Sequence, residues 1–134
     1  MRNLRVLALA LATRTLLACA APTSPASQLL DVEADGSALT LKNPNGWPVF
    51  YIAVNPGYLA SSAKGVIADF ALCTDPSSNC PRVAARATVR VPYAEIAGYY
   101  VGLPSVQITQ WRVQRRSSGE FVATDIQYLD APLR

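Results

Sequence analysis

The chain has 134 residues, three cysteines and no histidine, and its formal net charge is +3. Without histidine, Ser-His-Asp and Cys-His catalysis are excluded, as is every metal site that needs an imidazole ligand. Arg2, Arg5 and Arg14 account for the net charge, because the residues after position 18 hold nine basic and nine acidic side chains. This balance removes the electrostatic basis for nucleic-acid binding.

Residues 1–18 have the layout of a signal peptide. Arg2 and Arg5 precede an apolar run at residues 6–12, which is the order found in secreted proteins. The run is shorter than the roughly 20 apolar residues that a membrane-spanning helix needs. Arg14 interrupts the apolar segment, and a central arginine costs roughly 2.5–3.5 kcal/mol on membrane-insertion scales. We therefore expect a weak signal.

The tetrapeptide Leu16-Leu17-Ala18-Cys19 resembles a bacterial lipobox, in which an apolar residue, a second residue and a small residue precede the cysteine that receives lipid. The resemblance implies that Cys19 is lipidated, becomes the first residue of the mature chain and anchors it to a membrane. The odd cysteine count agrees, because using Cys19 in this way leaves one pair. The alternative is an ordinary secretory signal, which would be cleaved after Ala20 and would leave a soluble protein.

The composition changes twice after the signal. Residues 20–28 contain two prolines and small polar residues but no large apolar side chain, which predicts a semi-extended tether or an unstructured terminus. About 100 residues remain, enough for one domain with a core but too few for two. We predict a signal peptide at 1–18, a lipid-anchored tether at 19–28 and one domain at 29–134.

Short alternating segments separated by turn residues run through the predicted domain. They predict about seven strands and a β-sandwich. The strands are expected at residues 30–34, 39–42, 47–54, 66–72, 88–91, 106–114 and 121–129. The third is apolar on both faces, which is typical of a central strand covered on two sides. Single helical turns are expected at 60–63 and 94–98.

The penultimate strand also carries apolar residues on both faces. Val106 and Ile108 share one face, and Trp111 and Val113 share the other. A bulge near Thr109-Gln110 would turn all four inward. Without a bulge, one pair faces solvent or a partner.

Cys73 and Cys80 bracket a turn-rich loop. In an exported protein, this spacing favours a structural disulfide, and closing so short a loop stabilises the fold by roughly 2–3 kcal/mol in the chain-entropy model. A redox-active pair is the alternative, but neither a Cys-x-x-Cys spacing nor a thioredoxin pattern is present.

Aromatic residues on predicted strands are expected in the core for the most part. They are Trp47, Phe50, Tyr51, Phe70, Trp111, Phe121 and Tyr128. The loop tyrosines either pack back onto the core or contact a partner. They are Tyr58, Tyr93, Tyr99 and Tyr100.

The loop at residues 93–100 is the best candidate for a binding site. It follows Pro92 and should lie at one end of the sandwich, with Ile96 pointing inward. Gly98 allows a tight turn that directs Tyr99 and Tyr100 to opposite sides. We expect one of these two tyrosines to be buried and the other to be exposed as a partner contact.

Two segments carry a family resemblance. Leu39-Thr40-Leu41-Lys42-Asn43, followed by Pro48-Val49, and the later segment 87–93 (Ala-Thr-Val-Arg-Val-Pro-Tyr) resemble bacterial immunoglobulin-like domains. The overall layout is similar to uncharacterised single-domain bacterial lipoproteins with a mid-domain cysteine pair. Residues 83–86 (Val-Ala-Ala-Arg) replace the Pro-Gly that is usual there. The resemblance implies an immunoglobulin-like Greek-key sandwich in the cell envelope, and it implies no activity.

We therefore expect a membrane-anchored binding or structural module of the cell envelope, with an envelope protein as partner and with no enzymatic activity, cofactor, metal or nucleic acid. The alternative from another class is an inhibitor of an envelope or extracellular hydrolase, and a carboxylate-based enzyme is a remote third. Arg112, Arg115 and Arg116 cluster on the final hairpin, either as a solvated turn or as a patch that touches lipid headgroups.

Replacing Cys19 tests the predicted anchor. Cys19→Ser removes the thiol that would carry lipid, so the protein should move from the membrane fraction to the soluble fraction of fractionated cells. Cys80→Ser is the matched cysteine variant and should stay with the membrane. An unchanged distribution of Cys19→Ser, or a mature chain that starts at Ala21, would contradict lipidation.

Overall fold

Two antiparallel sheets contain most of the regular secondary structure of the computed structural model, which describes residues 28–61 and 73–134. The described strands are β1 (Asp31–Ala34), β2 (Ala38–Lys42), β3 (Val49–Val54), β4 (Arg82–Val83), β5 (Thr88–Pro92), β6 (Ser105–Arg115) and β7 (Phe121–Pro132). One sheet has the order β1-β2-β5 and the other β4-β3-β6-β7. The predicted all-β sandwich is confirmed.

The main core lies between the two sheets. Alternation along β2 directs Leu39 and Leu41 inward while Lys42 stays exposed. From the second sheet, Val106 and Ile108 of β6 enter the same cluster and are fully buried. Burying a side chain of this size stabilises the fold by roughly 1.5–3 kcal/mol, so this layer supplies most of the driving force for folding.

A second, smaller core covers the outer face of the β4-β3-β6-β7 sheet. Phe50 and Trp111 stack there with ring centroids 6.0 Å apart, and Cys73 packs beside them. The indole Nε1 of Trp111 donates to the carbonyl oxygen of Cys73 at 3.2 Å. The loop that begins at Cys73 therefore closes over this face of the sheet.

This packing corrects the prediction for β6. The register of β6 and β7 does shift between Gln110 and Arg112, close to the predicted Thr109-Gln110, but Trp111 stays on the outer face. Trp111 is nevertheless fully buried, because the chain's own loop covers it rather than solvent or a partner. Neither of the two expected arrangements holds.

Two aromatic residues expected in the core are exposed. Trp47 precedes β3 instead of lying within it, is 36% exposed and stacks against Arg112, whose guanidinium carbon is 4.2 Å from the ring centroid. Tyr128 lies on β7, the outermost strand in the order of its sheet, and is 69% exposed. Its neighbour Gln127 points inward and accepts the N–H of Leu29. The core prediction is wrong for both aromatic residues.

Other differences concern short elements. A helix, α1 (Pro56–Ser61), begins earlier than the turn predicted at 60–63, because Asn55 accepts the N–H of Gly57 through its side chain at 2.8 Å. The two-residue strand β4 was not predicted. The strand expected at 66–72 lies outside the described residues, as do Cys19 and the tether. None of the helices in the described ranges is long and apolar enough to cross a membrane.

Asn43 ties one end of the sandwich together. It is 1% exposed, and its side-chain Nδ2 donates to the carbonyl oxygens of Trp47 at 2.8 Å and of Val83 and Ala84 at 3.1 Å. Its Oδ1 accepts the backbone N–H of Asn45 at 2.9 Å and the side-chain Nδ2 of Asn45 at 3.1 Å. The turn after β2 is thereby bonded to the turn after β4.

Leu29 is bonded to this same end. Asn45 Nδ2 donates to the carbonyl oxygen of Leu29 at 2.7 Å, and Leu30 N–H donates to the buried side chain of Gln110 at 2.9 Å. We call this the proximal end, formed by residues 29–30 and the turns 43–48, 84–87 and 116–120. The distal end is formed by the turn 35–37 and the loop 93–104.

Candidate functional site

The loop at residues 93–104 crosses from β5 of one sheet to β6 of the other at the distal end. Its base belongs to the core, because Tyr93, Ile96 and Leu103 are all less than a tenth exposed. The predicted inward position of Ile96 is confirmed. Two successive turns within the loop are closed by hydrogen bonds. The N–H of Ile96 donates to the carbonyl oxygen of Tyr93 at 3.0 Å, and the N–H of Tyr99 donates to the carbonyl oxygen of Ile96 at 3.1 Å.

The turn between β1 and β2 supports the base of the loop. The hydroxyl of Tyr93 donates to the carbonyl oxygen of Asp35, and the N–H of Tyr93 donates to the carbonyl of Ser37 at 2.9 Å. Asp35 Oδ1 accepts the N–H groups of Ser37 at 2.7 Å and Ala38 at 2.9 Å, while Oδ2 lies 2.5 Å from Arg90. The hydrogen bond from Arg90, reinforced by these two N–H groups, holds the pKa of Asp35 well below its usual range. The carboxylate therefore stays ionised and keeps this turn in place at neutral pH.

The end of β3 holds the middle of the loop. Asn55 donates from Nδ2 to the carbonyl oxygen of Gly98 at 2.9 Å, and its backbone N–H donates to Ala97 at 2.9 Å. Gly98 has φ +75°, and a Cβ built on it would lie 2.6 Å from the Cβ of Tyr58 in α1. Glycine is required on both counts, for its backbone angle and for the close approach of α1.

The tip of the loop is apolar and exposed. Tyr99 is half-buried, with its ring centroid 5.4 Å from that of Tyr93, whereas Tyr100 is 55% exposed. Val101 is 91% exposed and precedes Gly102, whose φ is +91°. The N–H of Leu103 donates to the carbonyl oxygen of Tyr100 at 3.1 Å and so closes the turn. Tyr99 thus rests on the core while Tyr100 and Val101 project from it.

A groove of about 350 Å³ lies beside this tip, lined in part by Tyr99, Val101, Pro104 and Arg134. A larger open groove of about 460 Å³ lies at the edge where β1 and β7 meet, lined by Glu33 and Asp130 among others. The volumes of these grooves do not show which of them is suited to binding. The distal groove is the one that adjoins exposed apolar side chains, so it is the one suited to hold an apolar partner group.

Sequence reasoning did not find Val101, the most exposed large apolar residue of the described chain. The predicted loop ended at Tyr100, one residue too early. The signal was present in Val101-Gly102-Leu103-Pro104, because glycine followed by proline two residues later is typical of a turn. Whether Tyr99 or Tyr100 touches a partner stays a prediction.

The two domain cysteines lie far from this tip, on the outer face of the β4-β3-β6-β7 sheet. Their sulfur atoms are at disulfide-bonding distance and their Cα atoms are 5.8 Å apart. Between them, the side chain and the N–H of Ser77 both donate to Asp75, which lowers the pKa of that carboxyl. Cys73 is buried against Trp111, as suits a structural crosslink.

Acid–base or metal chemistry finds little support in the described ranges. Within residues 28–61 and 73–134, no three His, Cys, Asp or Glu side chains come together in a group that could hold a metal ion. Burial raises the pKa of Tyr51, with a smaller contribution from the charge of Glu95. Tyr51 is part of the main core. The distal end presents an exposed apolar tip on a hydrogen-bonded base.

The chain has no match among protein-family models, curated proteins or solved structures.

Two glycine variants test the construction of the loop. Gly98→Ala and Gly102→Ala each place a side chain at positive φ, which costs roughly 1–2 kcal/mol. Only Gly98→Ala also forces the added Cβ against Tyr58, and rotating the tyrosine ring cannot move its Cβ away. We expect Gly98→Ala to lower the free energy of unfolding by at least about 1 kcal/mol more than Gly102→Ala. Denaturant unfolding measures both; equal losses would contradict the close approach of α1 to Gly98.

Proposed function

We propose that this protein is an exported, lipid-anchored, immunoglobulin-like module of the bacterial cell envelope that binds an envelope protein through the turn Tyr100–Leu103. The observation that carries the proposal is the exposed pair Tyr100 and Val101 on a rigid base. Solvent-exposed apolar side chains on an ordered turn gain free energy by leaving water, and preorganisation lowers the entropic cost of binding.

Strand order supports the immunoglobulin-like assignment. If β1 to β7 are taken as strands A, B, C, C′, E, F and G, the two sheets read A-B-E and C′-C-F-G. This arrangement keeps C, F and G together in one sheet and B and E in the other, as in immunoglobulin sandwiches. The link from β3 to β4 is long, and its second half covers Trp111 on the outer face.

The geometry also suits a protein held by its N-terminus. Leu29 is bonded into the proximal end, whereas Tyr100 and Val101 occupy the distal end. A lipid on Cys19 would therefore place the tether at one end of the sandwich and the apolar turn at the other. The binding turn would point away from the membrane, toward partners in the surrounding compartment.

Binding is a better account of this surface than catalysis. The turn Tyr100–Leu103 carries no ionisable group other than the tyrosine hydroxyl, and Glu95 is the only carboxylate between residues 93 and 104. General acid–base catalysis needs a second positioned group with a matched pKa. Aromatic side chains such as Tyr100, by contrast, are enriched among the residues that contribute most to protein interfaces.

Site-specific crosslinking in cells tests this proposal. A photo-reactive residue in place of Val101 should crosslink to one envelope protein, and the crosslink should be lost in the Tyr100→Ser background. Truncating an interface tyrosine typically weakens binding by about 30-fold or more, while the free energy of unfolding should change by less than about 0.5 kcal/mol at this exposed position. The control is the same photo-reactive residue at Tyr128, the exposed aromatic on β7.

The outcomes separate the hypotheses. Crosslinks from position 128 but not from 101, or crosslinks that survive Tyr100→Ser, would place the interface elsewhere. If the captured partner is a hydrolase whose activity falls when the purified protein is added, the inhibitor alternative holds. That alternative draws on the same feature, because a projecting apolar turn beside a groove can also occupy an enzyme's cleft.

A further inference from the structure

The proximal end of the sandwich is basic, although the domain as a whole is neutral. The described residues carry eight basic and eight acidic side chains, and six of the basic ones lie in the proximal half: Lys42, Arg82, Arg86, Arg112, Arg115 and Arg116. The acidic side chains divide evenly, with Asp31, Asp75, Glu120 and Asp125 in this half. The side chains therefore give the proximal half a net charge of +2 and the distal half −2.

The final hairpin presents part of this charge beyond the rest of the sheet. β6 pairs with β3 as far as Trp111 and then continues four residues to Arg115, a projection of about 13 Å. Arg116 is 63% exposed, and its ion pair with Glu120, at 3.8 Å, is long and solvated. Glu120 offsets one of the two positive charges, so residues 115–120 keep a net charge of +1.

An aromatic residue accompanies the charge. Trp47 lies in the turn between β2 and β3 at the same end, 36% exposed, with the guanidinium of Arg112 over its ring at 4.2 Å. Tryptophan and arginine together suit the boundary between lipid and water, where the ring meets apolar chain segments and the guanidinium meets phosphate. A turn that merely faces solvent has no need of an exposed indole.

From these observations we infer that the proximal end docks on anionic phospholipid headgroups, through Arg115 and Arg116 of the hairpin and the stacked pair Trp47 and Arg112. The inference deepens the proposed function, on which it rests for the presence of a membrane beside this end. Each basic residue near an anionic bilayer adds attraction, and the tether holds the surface within reach.

Tether length favours the same orientation. If the mature chain begins at Cys19, nine residues precede Gln28 and span at most about 30 Å. The twelve residues of β7 run from the proximal hairpin to the distal end, a length of about 40 Å. The tether would therefore keep the proximal end within reach of the membrane that holds the lipid, while the distal turn can stand up to about 40 Å farther out.

Vesicle binding by the unanchored chain tests the inference separately from lipidation. The exported chain carrying Cys19→Ser is mixed at low salt with vesicles of phosphatidylcholine alone or of phosphatidylcholine with phosphatidylglycerol. It should sediment with the anionic vesicles only, and added salt should release it because screening weakens the attraction. Arg115→Gln with Arg116→Gln should lower the partition coefficient at least about tenfold, since each basic residue contributes independently near the surface.

The charge-matched control is Arg90→Gln with Arg134→Gln, which removes two exposed arginines from the distal half. It should change the partition coefficient by less than about threefold, because these arginines lie outside the contact. Fluorescence gives a second reading: a headgroup-region quencher in the vesicles should quench the exposed Trp47, and Trp47→Phe should abolish that quenching, since Trp111 is fully buried.

Equal losses in the two double variants would show that binding follows net charge alone and would overturn the inference. Failure of the chain to bind anionic vesicles at low salt would overturn it as well, as would equal binding to neutral vesicles. Because the tested chain lacks the anchor in every case, none of these results depends on whether Cys19 carries lipid. Failure of the anchor shows instead in the membrane fractionation of Cys19→Ser.

Discussion

One buried amide holds the proximal end of this sandwich together. Asn43 directs its Nδ2 group toward three carbonyl oxygens, those of Trp47, Val83 and Ala84, and accepts two hydrogen bonds from Asn45. The carbonyls of Trp47 and Ala84 lie in turns and that of Val83 lies at the end of β4, and a buried polar group left without a partner costs roughly 1–3 kcal/mol. Through Asn45, the same network reaches Leu29, the second described residue. The path by which the described chain enters the sandwich thus depends on one side chain.

The two ends of the sandwich differ because they are built differently. Polar side chains and arginines organise the proximal end, where Arg86 donates to the carbonyl of Pro44 and Arg112 stacks on Trp47. The distal end is organised by core side chains, with Tyr93 and Ile96 anchoring a loop whose tip is apolar. Under the proposed function, the basic end would face the anchoring membrane and the apolar end would face a partner. This division of chemistry is the basis of the proposed function.

Local patterns predicted most of the fold. Alternation around Leu39 and Leu41 located β2, and the turn residues after Lys42 marked its end, because both signals depend only on adjacent residues. The position of Trp111 was beyond such reasoning. Its face of β6 is covered by a loop that contacts it from 38 positions away, and alternation cannot reveal a cover of that kind. Tyr128 was misplaced for a related reason, since sequence does not show which strand ends a sheet.

The candidate site was predicted in part. The loop, its inward Ile96 and the exposure of one of the two tyrosines follow from proline, glycine and apolar positions in the sequence, but the other, Tyr99, is half-buried rather than buried. The exposure of Val101 could not be predicted, because it depends on the hydrogen bond that closes its turn. The pairing of Trp47 with Arg112 could not be predicted either, because it is a contact between separate segments of the chain. The sequence showed Asn43 only as the last residue of a motif. Its role in holding the proximal end could not be predicted, because its five hydrogen bonds join segments that are up to 41 positions apart.

The most direct test of this account is the unfolding free energy of Asn43→Asp, measured by denaturant titration at neutral pH beside Asn45→Asp. The first change keeps the shape of the side chain but replaces the donor to three carbonyls with a buried carboxylate, whereas the second removes the donor from a half-buried position. We predict a loss of at least about 3 kcal/mol for Asn43→Asp and about 1 kcal/mol for Asn45→Asp. A loss below about 1 kcal/mol for Asn43→Asp would contradict the central role of this amide.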